Sequence, residues 1–120
     1  MARVLFVDDD QLTLETYEKI VSYFGHQAIV ADCGMGAIEL ARNNSVDLII
    51  VDHNLPDMNG FELLEHLRSN ETALEIPMVM VSASHDVFAN RALAAGAQAY
   101  HAKPLLTKDL LDIIEEYTSG

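Results

Sequence analysis

Four stretches of this chain place polar, chemistry-bearing residues straight after short apolar runs. Asp8, Asp9 and Asp10 follow "VLFV" at 4–7, and Asp52 follows "LIIV" at 48–51. Ser82 follows "MVMV" at 78–81, and Lys103 follows "AQAYHA" at 97–102. An unpaired carboxylate at the end of a buried run is costly, so Asp52 in particular needs a reason. Brought together, these acids would repel, and one would take up a proton unless a cation intervened. Mg²⁺ suits such a place, because it takes a few carboxylate oxygens together with waters and a substrate phosphate. Lys103 can supply a point charge to a phosphoryl oxygen, and the Ser82 hydroxyl a hydrogen bond. The chemistry implied is phosphoryl transfer to a carboxylate, in which positioning and charge neutralisation do most of the work.

Whether these residues meet depends on the elements that carry them. The apolar runs, with a further one at "AIVA" 28–31, read as five strands. Segments of helical period lie between them. Leu14, Tyr17, Val21 and Phe24 mark the first, which Gly25 closes as a C′ residue. Met35, Ile38 and Ala41 mark a second, and Phe61, Leu64 and Leu67 a third. A fourth capped by Asp86 runs to Gly96, and a fifth capped by Thr107 carries Leu110, Ile113, Ile114 and Tyr117. Five strand–helix units predict an α/β fold, (βα)5, with a doubly wound five-stranded parallel sheet covered on both faces. Right-handed crossovers favour the flavodoxin-like order 2-1-3-4-5. In that order strands one and three are neighbours, so Asp8, Asp9 and Asp52 should meet beyond their carboxyl ends.

Composition narrows the function classes. At 120 residues the chain suits one domain, and half of its residues are hydrophobic, which excludes a disordered protein despite a net charge of −12. No apolar run approaches membrane-spanning length, and no signal or transit peptide fits the start, so a cytoplasmic protein without membrane contact is expected. Cys33 is the single cysteine, which leaves no disulfide framework. Seven scattered basic residues form no stripe for phosphates, so direct nucleic-acid binding is not expected. A positively charged partner surface or a metal cation is the natural complement.

The four stretches "VDDD" at 7–10, "VDHNLPDMNG" at 51–60, "VSA" at 81–83 and "GAQAYHAKP" at 96–104, in this order, closely resemble the receiver domain of two-component response regulators. The resemblance covers essentially the whole chain. It implies a single receiver domain over residues 1–120; no effector domain is expected within this chain, whether it stands alone or belongs to a larger regulator or hybrid kinase. It also implies that Asp52 is the phosphoacceptor, that Asp9 binds Mg²⁺ (or Mn²⁺) directly, and that Asp8 acts through a metal-bound water. The backbone carbonyl of Asn54 completes the protein's share of the coordination. Ser82 and Lys103 hold phosphoryl oxygens, and the bond before Pro104 is cis, as the family's is.

The same resemblance implies a switch rather than an enzyme, although the domain assists its own phosphorylation and dephosphorylation. Phosphoryl arrives from a histidine kinase or a histidine phosphotransfer protein. Ser82 then moves inward, Tyr100 fills the vacated space, and the surface of the fourth helix, fifth strand and fifth helix changes. That surface would engage a downstream protein or effector domain, or a second copy in a phosphorylation-dependent homodimer. Asn54 and Ser84, both small and polar, predict no special shielding of the acyl phosphate. Leu105 stands where the family often has an aromatic residue, and His101 where a strand residue is commonly apolar.

Other residues read more plainly. Asp10 is a cap or an exposed first-turn acid, and Asp57 and Asn59 serve the turn ending at Gly60. "CGMG" at 33–36 is a loop before the second helix rather than a dinucleotide motif. Five dispersed histidines lack metal-ligand spacing, with His53 and His85 bordering the site. Met78 and Met80 belong to a buried strand. Two alternatives from other classes are weaker. A phosphatase of the haloacid-dehalogenase type needs Asp-x-Asp, but Asp52-His53-Asn54 lacks the second carboxylate. A flavodoxin-like flavin module needs a Ser/Thr-rich phosphate loop where the acidic triplet stands.

Overall fold

A computed structural model describes residues 1–69, 75–83 and 89–118. Its elements alternate strictly: β1 (Arg3–Val7), α1 (Gln11–Tyr23), β2 (Gln27–Ala31), α2 (Gly34–Asn43), β3 (Leu48–Asp52), α3 (Gly60–Arg68), β4 (Met78–Ser82), α4 (Ala89–Ala94), β5 (Ala99–Ala102) and α5 (Thr107–Thr118). The strands form one parallel sheet in the order β2-β1-β3-β4-β5. This is the expected doubly wound architecture. Ser84, His85 and the expected cap Asp86 lie outside the described residues.

The strands are apolar along their length because each face of the sheet is covered. Leu5, Val7, Ile49, Val51, Met78 and Met80 pack with α2, α3 and α4 on one side. Val4, Phe6, Leu48, Ile50, Val79 and Val81 pack with α1 and α5 on the other. Burying a Val, Leu, Ile, Phe or Met side chain contributes roughly 2 kcal/mol, so a polar residue within these rows would forfeit both burial and packing. In β1, β3 and β4 polar residues are confined instead to the strand ends.

Helix boundaries depart from the sequence pattern in instructive ways. Met35 is 61% exposed, because α2 buries the small residues Gly34, Ala37 and Ala41, one position out of phase with the larger apolar ones. Phe24 is 50% exposed: it is the C-cap of α1 and lies beyond the buried stripe, its ring edge-on to Tyr23. Gly25 follows with φ +85°, the left-handed conformation expected of a C′ glycine. Thr107 is the first helical residue of α5 rather than its cap, and the Leu106 carbonyl accepts from Leu110 N–H at 2.9 Å. Gly34 and Gly36 belong to the first turn of α2, not to a loop, with Cys33 Sγ accepting from Gly36 N–H at 3.3 Å. Among the described residues, no helix is long and apolar enough to cross a membrane.

Candidate functional site

The register of the sheet builds the site. Val7 pairs with Val51 across β1 and β3, so Asp8 and Asp52, the next residue on each, are side by side. Asp52 in turn pairs with Val81, which places Ser82 one residue beyond it on β4. Among the described residues, Asp8, Asp52 and Ser82 are the buried polar ones, at 2%, 7% and 1% exposure. Asp8 is fixed at both ends: its N–H donates to Ala31 O at 3.1 Å, and its Oδ1 accepts from Asp10 N–H at 2.9 Å. Asp9 is exposed beside it. One carboxylate oxygen from each of Asp8, Asp9 and Asp52 lies within 4.8 Å of the others.

Lys103 closes the arrangement from the far end of the chain. Its backbone N–H donates to Ser82 O at 2.8 Å, extending the β4–β5 ladder by one residue, and the Lys103–Pro104 bond is cis. From there its Nζ reaches Asp8 Oδ2 at 2.8 Å and Asp52 Oδ1 at 3.0 Å. Burial opposes the lysine's charge, but the bonds to Asp8 and Asp52 outweigh it and hold its pKa above the ordinary value. Asp52 goes the other way from a typical paired acid. Burial raises its pKa, Lys103 pulls it down, and the charges of Asp8 and Asp9 push it up again. Burial is the largest cause, and the charges add to it: one lysine is shared between two buried carboxylates, with a third nearby. Positive charge is in short supply, and a donor set made wholly of carboxylate oxygens fits a hard divalent cation.

The loop after β3 is tightly tied. Asn54 and Asn59 form an antiparallel bridge, and Gly60 N–H donates to His53 O at 2.7 Å. Asn59 then caps α3 in a reciprocal box with Glu62, at 2.9 and 3.1 Å. Asp57 does more than serve its own turn: its carboxylate accepts from Gly34 N–H at 2.8 Å and Met35 N–H at 2.9 Å, at the start of α2. Sequence reasoning missed this partner, because no local pattern links residues 23 positions apart. Asp10 does occupy the N-cap of α1, with its carboxylate accepting from the Thr13 hydroxyl at 2.6 Å.

Aromatic neighbours border the site. Tyr17 stacks on Phe6 at 4.8 Å, and burial pushes its hydroxyl pKa up to about 12. Its step on α1 marked it only as a core residue. Tyr17 also lines a groove with Leu12, Thr13, Lys103, Pro104 and Leu105. His53 lies 4.8 Å from the Phe61 ring, over which the Arg91 guanidinium sits at 4.4 Å. Burial lowers the His53 pKa, and Asp52 and Arg91 act on it in opposite directions. Tyr100 packs against the core on the α2–α4 side, with its hydroxyl buried and no hydrogen-bond partner among the described residues. His101 is half-buried on β5, and the structure gives no reason for it; Leu105 packs partly against the α1–α5 core.

A parallel sheet of this order defines a doubly wound domain, with a cluster of three carboxylates and one lysine at its carboxyl edge. Comparison with known proteins makes the assignment specific. A family profile of the response regulator receiver domain matches residues 4–115, and the chain belongs to that family. The polar-differentiation response regulator DivK of Brucella ovis is 29% identical over 119 residues, 95% of this chain and 94% of that protein. The Vibrio cholerae chemotaxis protein CheY4 superposes with a TM-score of 0.91 at 27% identity, covering 98% of each chain. The receiver domain of the sensor histidine kinase PA1611 of Pseudomonas aeruginosa shares the fold, with a TM-score of 0.89 at 23% identity over 99% of this chain and 98% of that one. The chain is therefore a receiver module of two-component signalling, of a family whose members generally act as phosphorylation-dependent switches rather than as catalytic enzymes. The phosphatase and flavin alternatives gain no support.

Proposed function

We propose that Asp52 accepts a phosphoryl group from a histidine kinase or a histidine phosphotransfer protein. The observation that carries this is a buried carboxylate, at the end of a core strand, sharing one lysine with Asp8 and lying within reach of Asp9. An Asp52 oxygen attacks phosphorus, and the bond from phosphorus to the donor nitrogen breaks. Bound Mg²⁺ would be held by Asp9, Asp52 and the Asn54 carbonyl, with Asp8 acting through water, and would neutralise charge on the transferred group. The PA1611 receiver domain carries a magnesium ion coordinated in its active-site cleft, which supports the same metal here.

Lys103 and Ser82 then hold phosphoryl oxygens. Lys103 must leave its double ion pair to do so, and movement of Ser82 opens space beside β4. Tyr100, whose buried hydroxyl has no partner among the described residues, is the group that responds. The output surface is α4, β5 and α5, engaging a downstream protein, an effector domain or a second copy. We further assign residues 1–120 to one receiver domain acting in the cytoplasm. Incubation with acetyl phosphate and Mg²⁺ should add one phosphoryl group by intact mass, absent in Asp52→Asn. Addition to Asp52→Asn would remove the assignment. Amide exchange with and without beryllofluoride and Mg²⁺ tests the surface: no change over residues 84–106 would exclude it.

A further inference from the structure

Asp57 does not touch the acid cluster, yet it sits at the tip of the loop that carries Asn54. The base of this loop is closed by the Asn54–Asn59 bridge and by Gly60 N–H donating to His53 O. At its tip Pro56 and Asp57 are exposed, while Leu55 and Met58 on either side pack partly against the core. Two contacts with α2 hold it. The Asp57 carboxylate takes both free N–H groups of Gly34 and Met35 in the first turn, where the helix dipole favours a negative charge. Those bonds keep Asp57 more acidic than an ordinary aspartate. Beside them Met58 lies so close to Gly34 that a Cβ there would come within 2.5 Å of its Cγ and Sδ. A hydrogen-bonded clamp and a close packing contact therefore tie the same loop to an element that supplies no residue to the site.

We infer that Asp57 is a positioning residue for the metal: by anchoring the loop tip to α2, it fixes where the Asn54 carbonyl points. The inference rests on the Mg²⁺ reading above. A shift of the loop tip turns the peptide planes that lead back to Asn54, and a Mg²⁺ site tolerates little departure from octahedral geometry. Groups that orient a metal ligand commonly change affinity by an order of magnitude without touching the ion.

The test is a titration of the whole chain with MgCl₂ alone, followed by amide NMR shifts, for wild type and four variants. Asp57→Ala should bind Mg²⁺ roughly 10-fold more weakly than wild type. Asp57→Asn, which keeps one acceptor for the α2 amides, should recover part of that loss. Gly34→Ala, which displaces Met58 while leaving Asp57 intact, should weaken binding in the same direction. Asp9→Asn serves as the control for the metal reading itself. Thermal melts without Mg²⁺ accompany each titration. A variant that melts lower but binds Mg²⁺ like wild type assigns Asp57 to helix capping alone and overturns the inference. Equal affinity in Asp57→Ala and wild type, with Asp9→Asn impaired, does the same while sparing the metal reading. Absence of Mg²⁺ binding by wild type, or binding unaffected in Asp9→Asn, overturns both.

Discussion

The two edges of the sheet treat charged side chains in opposite ways. At the amino-terminal edge, Arg68 at the end of α3 donates to Gly96 O at 3.0 and 2.7 Å, to Ile76 O at 2.8 Å and to Gln98 Oε1 at 2.8 Å. The same Gln98 oxygen accepts from Met78 N–H at 2.7 Å, so one guanidinium ties α3 to the entrances of β4 and β5. Asp47 likewise accepts from Arg3 N–H at 2.8 Å beside β1. Charge there meets complementary dipoles and joins elements together. At the carboxyl-terminal edge three carboxylates gather around one lysine, and two of them are buried. That edge is short of positive charge in the resting protein. The contrast separates a charge kept for stability from charges kept for binding, and local departures from good electrostatics belong at functional sites.

Substitutions at the two edges should therefore act in different ways. Arg68→Ala should cost the most, about 3 kcal/mol, since it deletes several charge-assisted bonds and leaves half-buried carbonyls without their donors. Urea unfolding checks this, and a loss within error would erase the contrast. Lys103→Ala in metal-free protein should cost about 2 kcal/mol, because Asp8 and Asp52 lose their counter-charge. Millimolar Mg²⁺ should restore much of that loss while leaving Arg68→Ala unchanged. If Mg²⁺ rescued both or neither, the two edges would not differ as described.

Asp52→Asn should do the reverse of both and stabilise the metal-free protein at pH 7, by on the order of 1 kcal/mol, as one of three repelling charges is removed. A lower melting temperature would show that Lys103 already balances the cluster. The smallest effect is in the pH profile. The folded-state pKa of Asp52 is raised, so between the ordinary aspartate value and that raised one the folded protein binds more protons than the unfolded chain. The stability contribution of Asp52 is present below the unfolded pKa and is lost as pH rises through the folded one. The advantage of Asp52→Asn should accordingly shrink as pH falls from neutral towards 4, and a gap that widened would contradict the assignment of the shift to Asp52.

Much of this was legible from the residues in order. Runs such as "LIIV" and "MVMV" announce strands buried on both faces, and the polar residues that follow them, Asp52 and Ser82, fall at strand ends. Alternation of strand and helix, with right-handed crossovers, then leaves few sheet orders, and the favoured one brings Asp8, Asp9 and Asp52 to one edge. These features come from local hydrophobic pattern and chain handedness, which act over a few residues and need no knowledge of partners.

The rest was decided only in three dimensions. Lys103 divides its charge between Asp8 and Asp52 because the β4–β5 register delivers it there, across 95 positions of sequence from Asp8. The face of α2 that packs inward was chosen by how closely small residues let it approach the sheet, leaving Met35 outside. Asp57 bonds to α2 because the loop after β3 turns back across that helix end, and Arg68 bridges strand entrances that lie apart along the chain. Hydrophobic periodicity states which residues leave water. Which donor meets which acceptor depends on register, close approach and side-chain direction, and those exist only once the sheet and its helices have come together.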